Sequence, residues 1–435
     1  MYAAIKSIVP DAAFSIFTGD IVDHAVWLVN DSQVTFDIND AYSRMTGLPQ
    51  LYTTIGNHEA VPVNAFNPAA VETSLNIQWL YNLVETDLEP LIGSDAEEEV
   101  NFGAYSTMYP GGNLRIISIN SNLYYIENYW LYEPTMESDP SGQLAWLVSE
   151  LDAAEQNGER VYIIGHMAMG LSDALRDGSN YFNQIVDRYS ATIAALFWGK
   201  SHPFICSSVG AVYINIQIGH THVDQFEIAY SDYTNPTFGN ALEVSYLAPS
   251  MTPTSGPPAF QVLTVDPVTF GVLDITTYIA NISSPDYQNG PVWQEYYSAK
   301  AAYGPLVSPP LTDPAAELTP AFWHNVTVAF ETNDDAFQEY YARKTRGWDV
   351  SSCTGTCQTA EICGLRAAEA QYNCATVTPG ISFKKRDEGS LERSLGHIEE
   401  SVCDGARLKP LLNKLAARDG LLEEALRKAQ LKHRK

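Results

Sequence analysis

Short apolar runs recur along the chain, and several end in polar, glycine-containing turns. Residues 12–17 run into Thr18-Gly19-Asp20, and residues 51–55 into Gly56-Asn57-His58-Glu59. Residues 114–119 run into Asn120-Ser121-Asn122, and residues 161–164 into Gly165-His166. Runs of this length predict buried strands. Between them lie stretches with helical spacing, over residues 141–156 and 180–196. Strands alternating with helices predict an α/β layered fold, with function in the polar loops at the strand ends. Strand-like runs with proline-rich turns continue over residues 225–278. Residues 281–350 are rich in Pro, Tyr and Trp and turn helical around 332–346. Residues 406–435 read as a basic amphipathic helix or pair of helices.

Charge refines this picture. The 435 residues carry a net charge of −27 at pH 7. Affinity for phosphate backbones needs basic surface, which argues against a nucleic-acid partner. The acidity is uneven. Residues 384–435 hold 13 Lys+Arg and 9 Asp+Glu, a balance of +4, against −31 for residues 1–383. A basic tail is therefore expected over 384–435. No apolar run approaches ~18 residues, so no transmembrane helix is expected. Residues 1–10 lack the basic and apolar regions of a signal peptide.

Four of the six cysteines, Cys353, Cys357, Cys363 and Cys374, cluster in a loop-rich stretch. Such a cluster reads as local disulfides or as a zinc knuckle. Sequons begin at Asn30, Asn281 and Asn325. With the clustered cysteines they favour an oxidising, secretory setting.

Four loops carry the candidate chemistry: Gly19-Asp20 through His24, Gly56-Asn57-His58-Glu59, Gly165-His166 and Gly219-His220-Thr221-His222. Each places an oxygen or imidazole donor beside a glycine that lets the backbone turn sharply. Asp20, Asn57, His166, His220 and His222 form a nitrogen and oxygen donor set suited to Zn²⁺, Mn²⁺ or iron. Glu59 is expected to orient its loop, and His324, beside Trp323, to be structural. Tyr124 and Tyr125 fit either a lipid or choline pocket or a strand-end core.

With these loops in this order the sequence resembles the calcineurin-like metallophosphoesterases, in the acid sphingomyelinase branch that includes fungal secreted sphingomyelin phosphodiesterases. Asp23-His24-Ala25-Val26-Trp27, Pro62-Val63-Asn64-Ala65-Phe66, residues 120–125 and residues 248–253 match the same branch. The resemblance covers residues 1–383. It implies a metallophosphoesterase β-sandwich flanked by helices over residues 1–280. A small helical disulfide subdomain would follow over 281–383, with pairs Cys353–Cys357 and Cys363–Cys374. It implies two zinc ions, bridged by Asp20. Asn57, His166 and His220 would complete one shell, and His222 would bind the other metal. His58 would contact phosphate or protonate the leaving group, and His24 would assist as an acid. The implied reaction hydrolyses sphingomyelin to ceramide and phosphocholine. The implied protein is a secreted or vacuolar-lysosomal glycoprotein, monomeric, and able to touch membrane surfaces without spanning them. Its acidic body would be repelled from anionic membranes less at low pH than at neutral pH.

Three departures from the family stand out. Its first motif, Asp-x-His, supplies two ligands to the metal that His222 also binds, yet none of the nine histidines here has an aspartate two positions earlier. The saposin-like domain that precedes the family's catalytic domain is also expected to be absent. Secondly, the family runs a strand directly into Gly-His-Thr-His, whereas here Lys200–Gly219 separate Gly199 from His220. Gly199-Lys200-Ser201 can be encoded as GGT AAG T, which contains a common intron donor, so residues 200–219 are read as a translated intron. The basic tail is the third departure, either a frameshift, readthrough or fusion product or a solvated lineage-specific helix. These departures keep two alternatives open: a related secreted phosphodiesterase acting on nucleotides or other phospholipids, and a catalytically impaired remnant.

Overall fold

The computed structural model describes residues 1–22, 29–133, 137–199, 211–216, 222–253, 255–348 and 350–374, with backbone alone for 99–100 and 211–216. Contacts divide the chain into Met1–Ala375 and Thr376–Lys435. The basic tail lies outside the described residues.

The described residues of the first unit form twelve strands: β1 Phe14–Phe17, β2 Leu51–Thr53, β3 Tyr105–Met108, β4 Leu114–Ile119, β5 Arg160–Gly165, β6 Ile193–Trp198, β7 Ala211–Ile216, β8 Gln225–Tyr230, β9 Ala241–Leu247, β10 Ala259–Val265, β11 Val272–Ala280 and β12 Trp293–Ser298. Six of them form one sheet in the order β3-β4-β5-β6-β9-β8. Within it β4, β5, β6 and β9 run parallel, and β3 and β8 pair antiparallel at its edges. The sheet β2-β1-β7 is parallel, β10-β11-β12 is antiparallel, and β7 runs alongside β10.

Period-two alternation explains the layers. One core joins the sheets. Ile116, Tyr162, Ile164 and Phe197 of the six-stranded sheet share it with Phe14, Ile16 and Tyr52 on one side and Phe260 and Val265 on the other. The intervening residues Ile117, Val161, Ile163, Leu196 and Trp198 face the opposite way. There they pack on Leu80, Val84 and Leu88 of helix Gln78–Ile92, on Leu147 and Leu151 of helix Gln143–Asn157, and on Phe182 and Val186 of helix Arg176–Arg188. Strands covered on both faces are apolar at nearly every position, which is why their sequence runs are continuous.

The expected helix over residues 180–196 is corrected. It ends at Arg188, and Ile193–Trp198 is a strand. That run is buried almost throughout and carries no period to separate it from the helix before it. The helix expected around 332–346 is Asp334–Lys344, and a second helix, Pro320–Thr332, precedes it; side chains cap both, Asn333 and Thr319 respectively. Their residues Phe322, Trp323, Phe330, Phe337 and Tyr340 extend the inter-sheet core. Disulfides Cys353–Cys357 and Cys363–Cys374 flank and tie the short helix Thr356–Leu365, which resolves the cysteine cluster in favour of disulfides. Tyr124 and Tyr125 are buried, so they belong to the core alternative. His324 is buried with its Nδ1 2.9 Å from Tyr230 Oη. No helix among the described residues is long and apolar enough to cross a membrane.

Candidate active site

Parallel pairing brings the carboxyl ends of strands to a common edge. In β1 the chain passes Thr18 and Gly19 to reach Asp20. In β2 it passes Thr54, Ile55 and Gly56 to reach Asn57 and His58, and β5 ends one residue before His166. Gly19 has φ 85°, and a side chain there would collide with the main chain of Gly56. The two loops can therefore touch only because both positions are glycine. Asp20 itself has φ 58°, a left-handed conformation that costs a non-glycine residue about 1 kcal/mol or more and is found mainly where function demands it.

Glu59 holds the two loops together. One of its carboxylate oxygens accepts from Gly56 N at 2.6 Å and Asp20 N at 2.9 Å. The other accepts from Ile21 N at 2.6 Å and Val22 N at 3.3 Å. Burial and the neighbouring Asp20 charge push the Glu59 carboxyl above its ordinary value, while His166, the Asp20 N–H and His58 pull it back. Asp20 shows the reverse balance. Burial opposes its charge, but His166 and His58 outweigh burial and hold the carboxyl well below the usual range.

Asp20, Asn57, His58 and His166 come together, all four buried. His166 Nε2 lies 2.9 Å from Asn57 Oδ1 and 3.3 Å from Asp20 Oδ2. His58 N donates to Asp20 Oδ1 at 3.0 Å, and His58 Nε2 lies 3.8 Å from Asp20 Oδ2. Both rings are oriented by main-chain carbonyls: His166 Nδ1 donates to Thr18 O at 2.7 Å, and His58 Nδ1 to Val22 O at 3.0 Å. Asn57 is oriented too, since its Nδ2 donates to Asn64 Oδ1 at 2.9 Å and so turns Oδ1 toward His166.

This geometry provides a test of metal fit. With Nδ1 of a neutral His166 committed to a carbonyl, Nε2 carries a lone pair. It then faces two oxygen lone pairs at 2.9 and 3.3 Å. Such an arrangement is repulsive unless a cation lies among the three atoms, either a proton on the imidazole or a metal ion. Donors ~3 Å apart suit a single ion bound at about 2.0–2.2 Å, and the oxygen, oxygen and nitrogen set suits a borderline divalent metal. The residues therefore fit. Among the described residues no group of three His, Cys, Asp or Glu side chains forms a metal cluster, and the third donor here is the amide oxygen of Asn57.

His222 is buried in a left-handed turn, φ 57°, with Nδ1 2.9 Å from Ser250 Oγ. His24 and His220 lie outside the described residues. Gly199, at the end of β6, packs directly on the site. Its N donates to His166 O at 2.7 Å, and a Cβ there would lie 2.5 Å from that same oxygen. Asn64 had a sequence signal in the stretch 62–66 but no assigned role. It has φ 65°, and its Nδ2 reaches Glu127 Oε2 at 3.4 Å. Asn122 Nδ2 also braces this loop, donating to Ile55 O at 3.0 Å.

The site thus joins a carboxylate, an amide and two imidazoles at the carboxyl ends of parallel strands. Residues 2–224 match the family model described as calcineurin-like phosphoesterase, and the chain belongs to that family. Among its relatives is the Sphingomyelin phosphodiesterase of Homo sapiens, 34% identical over 389 residues, which are 86% of this chain and 54% of the human one. Sphingomyelin phosphodiesterase 1 of Caenorhabditis elegans is 29% identical over 357 residues, 81% of this chain and 57% of that protein. The human Acid sphingomyelinase-like phosphodiesterase 3b is 26% identical over 387 residues, 84% of this chain and 76% of its own. The chain thus spans little more than half the length of the two sphingomyelin phosphodiesterases.

Proposed function

We propose that this chain is a zinc-dependent phosphodiesterase that hydrolyses sphingomyelin to ceramide and phosphocholine. The observation that carries the metal reading is the convergence of His166 Nε2, Asn57 Oδ1 and Asp20 Oδ2 at 2.9 and 3.3 Å, with both other ring and amide positions already committed. The substrate reading is supported by the sphingomyelin phosphodiesterases of human and worm, which align over more than four fifths of this chain. Asp20, Asn57, His166 and His220 would hold one zinc ion. Asp20 and His222 would contribute to a second. The bound ions supply charge neutralisation at phosphorus and a more acidic water.

The chain's own residues do the rest. Glu59 fixes the Asp20 loop against the Asn57 loop. His58, oriented by Val22 O, keeps Nε2 on the Asp20 side, where it can contact a phosphate oxygen or protonate the departing ceramide oxygen. His24 would assist as a second acid. In the balanced reaction water adds to phosphorus, the P–O bond to ceramide breaks, and the ceramide oxygen gains a proton. Two local disulfides and the exposed sequon residues Asn30 and Asn281 support a secreted or lysosomal glycoprotein. We read it as a monomer that meets its lipid substrate at the membrane surface.

The test is zinc per chain by elemental analysis together with turnover of sphingomyelin and of a nucleotide diester. Sphingomyelin turnover that falls at least 100-fold in His58→Ala supports the proposal. A second reading has another phosphodiester as the substrate; the human 3b relative is named only as a sphingomyelinase-like phosphodiesterase. Turnover of the nucleotide diester alone would select it. No bound zinc and no turnover would select an impaired remnant.

A further inference from the structure

We infer that Arg346, two residues beyond the helix Asp334–Lys344, is a positioning residue that aims His222 at its metal. The inference rests on the proposed ligand role of His222 and adds to it a residue from the C-terminal helical segment. Arg346 is 2% exposed, and its described hydrogen bonds go to main-chain carbonyls: Nη1 to His222 O at 3.0 Å and Nε to Pro257 O at 2.7 Å. A guanidinium is costly to bury, and a methionine would fill similar space without that cost. The charge instead fixes the peptide plane that follows His222, and with it the direction in which the imidazole leaves the chain.

A second contact comes from the same helix end. Asp224 N donates to Lys344 O at 2.9 Å. From the opposite side the Asp224 carboxylate is held by Gln261 Nε2 at 3.0 Å, Thr277 Oγ1 at 3.0 Å and Tyr297 Oη at 2.9 Å, one each from β10, β11 and β12. The imidazole meets Ser250 Oγ at 2.9 Å. Residues 222–224 are thus gripped by the helix end, by the antiparallel sheet and by the 250 loop. Both His222, φ 57°, and Arg346, φ 55°, are non-glycine residues in the left-handed region. Such conformations persist only where the surroundings over-determine them. Partners that orient a metal ligand typically change metal affinity 10–100-fold when removed.

The experiment measures Zn²⁺ affinity of the purified 435-residue protein by competition with a fluorescent chelator, and the melting temperature of the metal-free protein. It compares Arg346→Met, Arg346→Lys, His222→Ala and Phe330→Leu. Phe330 stacks on Tyr340 in the same helical segment, so it controls for general loosening. We expect Arg346→Met to weaken Zn²⁺ binding 10–100-fold, Arg346→Lys to recover part of it, and Phe330→Leu to lower the melting temperature with affinity unchanged. If Arg346→Met fails to fold, Arg346→Lys against Phe330→Leu carries the comparison. Wild-type affinity in both Arg346 variants, with His222→Ala weakened, overturns the positioning role. Equal weakening in Phe330→Leu at matched melting temperature also overturns it. Wild-type affinity in His222→Ala would instead remove the ligand reading on which the inference stands.

Discussion

The substitution Glu59→Gln tests how the two strand-end loops are locked. It keeps size and shape but replaces one carboxylate oxygen with an NH2 group. Each oxygen of Glu59 accepts two main-chain N–H groups, Gly56 with Asp20 on one and Ile21 with Val22 on the other. Whichever way the amide turns, two buried donors lose their acceptor and face a third donor. A buried donor left unsatisfied costs about 1–3 kcal/mol, so the substitution costs about 2–6 kcal/mol. At ~2 °C per kcal/mol, the low end for large domains, the melting temperature of the metal-free protein should fall by about 4–12 °C. Circular dichroism melts and urea titration give the measurement. In either orientation the segment Asp20–Val22 loses at least one of its acceptors, so Zn²⁺ affinity should fall in the same variant. A melting temperature within 2 °C of wild type, with unchanged Zn²⁺ affinity, would refute the lock.

Three further outcomes are expected. Burial and the nearby Arg366 hold the His324 imidazole down to about 4, so the unfolded chain takes up this proton between pH 6.5 and 4 while the folded chain does not, and stability falls as pH falls through that window. Wild type should therefore lose about 2 kcal/mol more than His324→Gln between pH 7 and pH 5 in urea titrations, and parallel losses would contradict this. The Cys363–Cys374 disulfide closes a separation of 11 residues, so replacing both cysteines by serine should cost up to about 3 kcal/mol, read as a lower urea midpoint; an unmoved midpoint would count against it. Deleting Lys200–Gly219 joins Gly199, whose N already donates to His166 O at 2.7 Å, directly to His220. If the segment is a translated intron, the shortened chain should bind Zn²⁺ more tightly than the full one, and equal or weaker binding would make the segment an integral part of the protein.

The site was legible where chain order and spatial order coincide. A buried parallel strand writes itself as an unbroken apolar run, and its next residues lie at the functional edge whatever the rest of the fold does. Asp20, Asn57, His58 and His166 all follow such runs within four residues, so reading the runs was enough to collect them. The same lack of period hid β6. Ile193–Trp198 follows helix Arg176–Arg188 after only four residues, and nothing in its composition separates a fully buried strand from a helix that continues.

Positions that depend on a contact between remote segments left no such trace. Asn64 acts by turning one amide, and its role appears only once the Asn57 loop is folded against it. Arg346 stands 124 residues from the carbonyl it holds, in no motif and at the last position of a stretch read only as helical. Its proposed role follows from what surrounds it: a buried charge near Asp224 whose hydrogen bonds go to the carbonyls of His222 and Pro257. The strand-end pattern thus identifies which side chains can meet a metal. How firmly they are aimed is decided elsewhere, by Glu59 between two loops and by a helix end that closes on the His222 turn. The ligands and their supports are different kinds of information. A sequence read strand by strand recovers the candidate ligands and leaves their supports to the fold.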